Sequence, residues 1–217
     1  MSNLMDQPIL LIGFLVVLSL LPLLIVVGTS FLKLAITFSL LRNALGVQQI
    51  PPNMAIYGLA LVLTLFIMAP IGMAVSDNMA NEPVSLEDPN LFQTIDTKIL
   101  EPYRKFLQTN TNKMQVTYFS NIGNKIWPAE YKEKISKESL IVLLPAFCIS
   151  QIVEAFKIGL LLYLPFIAID LIVSNILLAM GMMMVSPTTI SLPFKLLVFI
   201  LAGGWQALID KLVVSFS

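Results

Sequence analysis

The stretch "LIVLLPAFCISQIVEAFKIGLLLYLPFIAIDLIVSNILLAMGMMMV" fills residues 140–185 and is apolar almost without pause. Its strongly polar interruptions are Gln151, Glu154, Lys157, Asp170 and Asn175. A membrane-spanning helix needs about 20 apolar residues, so the run is too long for one span. It reads either as two spans broken near "YLPF" (163–166) or as one span continued by a long helix packed among protein. Glu154 and Lys157 stand three residues apart and can pair on one helix face. Charges inside so apolar a run favour the protein-packed arrangement over contact with lipid.

The rest of the chain has the same character. Of its 217 residues 57% are hydrophobic and only 12% charged, and the mean hydropathy is +0.87. Soluble domains are about a quarter charged, and a chain this apolar has too few polar groups to cover a water-facing surface. It is expected to be an all-α, multipass membrane protein with about four apolar spans. Thirteen basic residues balance 13 acidic ones, so there is no basic face for nucleic acid. The absence of histidine removes imidazole acid–base chemistry and most transition-metal sites. The single cysteine, Cys148, cannot form an intrachain disulfide and reads as a small buried hydrophobe.

Further spans are expected at 8–30, 53–75 and 192–216. The first has no basic leader, and its apolar run exceeds a usual signal-peptide core, so it reads as retained. Pro22 should kink it. The second begins at "IPPN" (50–53), where Pro51 and Pro52 stop one helix and start the next. The connection "KLAITFSLLRNALGVQQ" carries Lys33 and Arg42 and no acid, which places it in the cytoplasm by the positive-inside bias. In the last span Ser191 and Pro193 suit the helix start, and Lys195 is expected to snorkel to the headgroups. Gly203, Gly204 and Trp205 fall mid-span, where small residues allow close helix approach.

Three regions follow: an apolar hairpin over 1–76, a polar periplasmic region over 77–138, and apolar helices with a methionine-rich loop over 139–217. Within the polar region, residues 90–108 place Leu91, Ile95, Ile99, Tyr103 and Phe106 at helical spacing, with Pro102 interrupting late.

No catalytic constellation, nucleotide loop or metal cluster is present in the sequence, and neither an enzyme nor a cofactor is expected. Asp170, in "LPFIAIDLIVSN", is expensive in an apolar setting unless paired or hydrated. It reads as a proton-relay or ion site, or more simply as a helix-end or inter-subunit hydrogen bond. Four of the 11 methionines lie in "MGMMM" (180–184). Successive helical residues point about 100° apart, so Met182, Met183 and Met184 share a surface only in a loop, which Gly181, Ser186 and Pro187 make plausible. Such a loop would form a compliant apolar seal; otherwise these side chains fill a membrane core.

Several longer motifs resemble one family. They are "LLRNALGVQQIPPN" (40–53), "LTLFIMAP" (63–70), "LLPAFCISQIVEAFKIG" (143–159), "LPFIAIDLIV" (164–173), "MGMMMVSPTTISLPFKLL" (180–197) and "GGW" (203–205). They resemble the R subunit of the bacterial type III secretion export apparatus, homologous to the flagellar P subunit (the SctR/FliP family). The wording of "MVSPTTISLPFK" and the short N-terminus are closer to the virulence type. The motif positions include Arg42, Gln48, Gln49, Pro51, Pro52, Pro145, Phe147, Pro193, Phe194, Lys195, Gly204 and Trp205. Gln151 stands where the family often has glutamate.

The resemblance implies a structural channel subunit in the inner membrane. Five copies would assemble with a small two-helix export subunit and a third multipass subunit, and would pass unfolded secreted proteins. Met182, Met183 and Met184 would form the gasket of the resting pore. Read from the residues alone, a small secondary transporter with Asp170 as coupling carboxylate is the alternative.

Overall fold

The computed structural model describes residues 8–47, 50–81 and 95–216. Among these the chain is predominantly helical, without strands. Helix α1 spans Pro8–Gly28, α2 Phe31–Leu45 and α3 Asn53–Asn81. A π-helical turn, Ile95–Ile99, leads to α4 (Glu101–Thr109) and α5 (Lys113–Ile126). After the 3-10 turn Ala129–Lys134 come α6 (Leu140–Ala179), α7 (Pro187–Leu201) and α8 (Gly204–Val214). The motif residues Gln48 and Gln49 and the first part of the 90–108 stripe, including Leu91, lie outside the described residues.

Residues 140–179 form one 40-residue helix. At 1.5 Å per residue it is about 60 Å long, twice the hydrocarbon thickness of a bilayer. It runs through Pro145 and Pro165, so the break considered at "YLPF" does not occur. Pro165 forfeits a single N–H. The helix is continuous, but within this chain only part of its surface is covered.

Helix α2 was expected to be a connection between spans and is instead the centre of the core. Lys33, Leu34, Ala35, Thr37, Phe38, Leu41, Ala44 and Leu45 are all buried on it. Its scattered polar residues dilute its hydropathy, which is why it does not read as an apolar element. It packs chiefly on α6 and α3. Gly159 makes the α2–α6 approach possible, because a Cβ there would collide with Leu40. Ile56 and Ala60 of α3, Phe166 of α6, Phe199 of α7, and Leu208 and Leu212 of α8 complete this core.

A second cluster joins Phe106 and Leu107 of α4 to Leu143 and Phe147 of α6 and to Phe216. Phe106 is the hub, 5.7 Å from the Phe147 ring and 6.2 Å from the Phe216 ring. The interruption expected at Pro102 falls at Leu100, between the π-helical turn and α4; Pro102 itself occupies the first turn of α4, where a missing N–H costs nothing.

The final span is not straight. Gly203, at φ 60°, separates α7 from α8, which meet at 61°. The end of α1 (22–28) and α2 form a second bent pair, at 74°. Among the described residues α3 and α6 are each long and apolar enough to cross a membrane, and there are up to four spans if each bent pair counts as one. The helix expected to start near Ser191 begins a turn earlier, with Ser186 at its cap and Pro187 in its first turn.

Candidate gate loop and buried ion pairs

The methionine loop begins where α6 stops. Gly181 adopts φ 72°, a left-handed conformation that glycine enters without the Cβ penalty. Its N–H bonds the Leu178 carbonyl at 3.0 Å, and the Met182 N–H bonds the Leu177 carbonyl at 2.9 Å. These two bonds make a complete Schellman cap. Ser186 and Pro187 then open α7. Between the two helices the backbone is fixed at both ends and the side chains are free. Met182 is 42% exposed, Met183 80% and Met184 100%. The three thioethers are therefore in a loop, and they are not core filler of this chain.

Below the loop, α6 and α7 run back against each other and bring Asp170 to Lys195. The Lys195 ammonium lies 2.6 Å from Asp170 Oδ2, and Ser191 Oγ donates to Asp170 Oδ1 at 2.6 Å. Lys195 also donates to the Ala44 carbonyl at 3.2 Å. Ala44 lies in the last turn of α2, the negative end of that helix dipole, where a cation is favoured. One expectation is corrected. Lys195 is 4% exposed and does not snorkel, because a carboxylate and a helix terminus inside the fold hold its charge. Asp170 is paired, as an apolar setting requires, and within this chain its partners are Lys195 and Ser191.

A second pair also departs from expectation. Glu154 does not pair with Lys157 three residues on. It pairs with Lys33 of α2 at 2.7 Å, and Lys157 is left on the exposed face of α6. Lys33 is 1% exposed. Its ammonium also donates to Ser215 Oγ at 2.9 Å and sits 4.4 Å from the centre of the Phe216 ring. One buried cation thus ties α2, α6 and the end of the chain together. The sequence shows Lys33 and Glu154 as separate charges 121 positions apart, and nothing local connects them.

Most of the remaining described motif residues make contacts within the chain. Arg42 donates to Asn53 Oδ1 at 2.6 Å and to the Pro51 carbonyl at 3.4 Å, closing the α2–α3 turn. The Pro52 carbonyl accepts from the Ala55 and Ile56 N–H groups at the start of α3. Phe147 is fully buried, and Pro145 lies within α6 beside it. Gly204 faces Phe199, with which any Cβ would collide, and Trp205 packs edge-on against that ring at 5.6 Å. Pro193 lies inside α7, and Phe194 is exposed. Gln151, 1% exposed, donates to the Asn110 carbonyl at 2.7 Å, so here an amide fills a hydrogen-bonding role in the core.

These features define a class: an all-α membrane protein with two ion pairs closed within the chain and an exposed apolar loop. The FliP family profile matches residues 14–212. The chain is 59% identical over 216 residues to the virulence protein YscR of Salmonella typhimurium, covering 99% of this chain and 100% of that one. It is 53% identical to the Yop proteins translocation protein R of Yersinia pestis, over 95% of each chain. To the harpin secretion protein HrpW of Pseudomonas syringae it is 45% identical, over 94% of this chain and 98% of that one. The chain belongs to the FliP family, among the R subunits of the virulence type III secretion apparatus. Its membership makes it a structural component of that apparatus and not an enzyme.

Proposed function

We propose that the chain is a channel subunit of the export gate in the bacterial inner membrane, and that Met182, Met183 and Met184 seal the resting pore. Several copies, five on the family pattern, would surround one axis with copies of a small two-helix subunit and a third multipass subunit. Unfolded secreted proteins would pass along that axis. The observation that carries this reading is the exposure of the three thioethers on a loop whose backbone is anchored at both ends. Apolar surface in contact with water costs about 25 cal/mol per Å², and a ring of such loops would bury it mutually. Methionine's flexible, polarisable side chain lets the ring close around side chains of any shape.

Outward-facing apolar side chains along α6, among them Phe156, Leu160, Leu161 and Leu164, support burial against neighbouring subunits as well as lipid. The region 1–76 would be the apolar hairpin with its α2–α3 turn in the cytoplasm. The polar region 77–138 would face the periplasm, and 139–217 would carry the gate. With Lys33 neutralised in the core, Arg42 is the charge that supports this orientation. Energy for export would come from other components.

The test is ion conductance of the assembled gate in liposomes after Met182, Met183 and Met184 are all replaced by glycine. A leak with normal assembly is expected; unchanged conductance would sink the seal. Crosslinking of a stalled substrate to the loop separates a gate from a scaffold that only anchors other components.

A further inference from the structure

We propose that the methionine loop is an oxidation site through which peroxide loosens the gate, an inference that rests on the seal reading above. Met180, Met182, Met183 and Met184 bring four thioethers into five residues, at 66, 42, 80 and 100% exposure. The Schellman bonds of Gly181 and Met182 hold the backbone, so these side chains cannot withdraw into the core without unwinding the end of α6. A loop that lines a water path also keeps one face in water on that path. In the single chain the four sulfurs are open to solvent; in the ring, contact between loops covers part of each, and peroxide reaches the edge that faces the pore.

The chemistry is a two-electron oxygen transfer. A thioether lone pair attacks one oxygen of hydrogen peroxide; the S–O bond forms and the O–O bond breaks. The sulfur is oxidised, and the other peroxide oxygen is reduced and leaves as water after taking up the transferred proton. The product is a polar sulfoxide, a strong hydrogen-bond acceptor where an apolar thioether stood, and it is reversible by methionine sulfoxide reductases. A ring of sulfoxides would hydrate. The same residues that exclude ions when reduced would admit water and ions when oxidised. Met114 provides an internal reference: it is 75% exposed but lies on α5, far along the chain from the loop.

The experiment treats the assembled gate in liposomes with hydrogen peroxide. Peptide mass mapping reads the gain of about 16 Da per oxidised thioether, and ion leak is followed in parallel. The expected result is oxidation of Met182, Met183 and Met184 at least as fast as of Met114. A several-fold rise in leak should accompany it, be reversed by the reductases, and be absent from the M182L/M183L/M184L variant. Oxidation of Met114 with the loop untouched overturns the inference, as does loop oxidation without a leak. The glycine variant separates the two readings: if it leaks without peroxide while the oxidised protein does not, the seal stands and the oxidation inference alone fails. If neither leaks, the seal fails as well.

Discussion

Lys195 and Asp170 form the internal lock of the α6–α7 hairpin, with 2.6 Å between ammonium and carboxylate. The two partners are unequally buried. Lys195 is 4% exposed and Asp170 33%. Removing one member of a buried pair costs mostly because the other charge is left without compensation. The cost therefore depends on which charge remains, and here the cation is the one that solvent cannot reach.

Asp170→Asn should accordingly destabilise the protein more than Lys195→Met. Loss of one partner of a fully buried pair costs about 3–5 kcal/mol, and the partial exposure of Asp170 puts the expected penalty at or below the lower end of that range. The double variant D170N/K195M should recover much of it. Thermal unfolding in one detergent, arranged as a double-mutant cycle, measures this. Equal penalties for the two single variants would show that the ammonium finds another partner.

The Lys33 site makes a related prediction with a different readout. Its ammonium holds Ser215 and lies over Phe216, while the Glu154 side chain is 45% exposed. Lys33→Met should release the end of the chain, so a protease acting from the C-terminus should digest the variant faster than the wild type. Glu154→Gln keeps the lysine contacts to Ser215 and Phe216 and should leave this digestion closer to wild type, although it strands a buried charge and lowers the unfolding temperature. Equal digestion of both variants would remove Lys33 as the tether.

How much of this was legible depended on range. The helical class, the α6 run and the methionine loop are local properties: hydropathy, a glycine with Ser-Pro behind it, and a pattern of neighbours. The partners of Glu154 and Lys195 are not local. In sequence Lys195 reads as a snorkelling residue, because an apolar span with one lysine near its start looks the same whether or not a carboxylate awaits it. A signal was available, since Asp170 lies about as far before the loop as Lys195 lies after it, and a hairpin puts such positions side by side. Lys33 offered no comparable signal. Its helix was hidden because a buried cation lowers hydropathy as much as an exposed one does. The bend at Gly203 was hidden in turn, because small residues inside a span serve close packing and breakage alike.

Tyr103 gives a pH prediction. Its hydroxyl donates to the Gly28 carbonyl at 2.8 Å, and burial pushes the phenol up from its ordinary 10.0 to about 12. Below pH 10.0 both folded and unfolded chains keep the proton, and the contribution to stability is complete. Between 10.0 and about 12 the unfolded chain gives up the proton first, so stability falls as pH rises. Tyr103→Phe should lower stability by about 1 kcal/mol at neutral pH for the lost hydrogen bond. The gap between wild type and variant should then narrow as pH rises through that window. Urea unfolding of the two proteins across it provides the check, and a constant gap would mean that the phenol is not shielded.

Gly181 determines whether the methionines are presented at all. Its φ of 72° lies in the left-handed region, and a Cβ placed there meets nothing within 4 Å, so the only obstacle to a side chain is the backbone itself. Gly181→Ala should cost about 1–2 kcal/mol, the left-handed penalty for a residue with a Cβ. Gly181→Asn should cost less, because asparagine tolerates that conformation. Gly181→Val should cost more, since a branched side chain crowds it further. A seal that depends on loop geometry should leak in the same order, valine above alanine above asparagine. Unfolding temperature and liposome leak, measured on the same three preparations, check both halves. A stability ranking without a matching leak ranking would make the turn a matter of folding only and detach it from the gate.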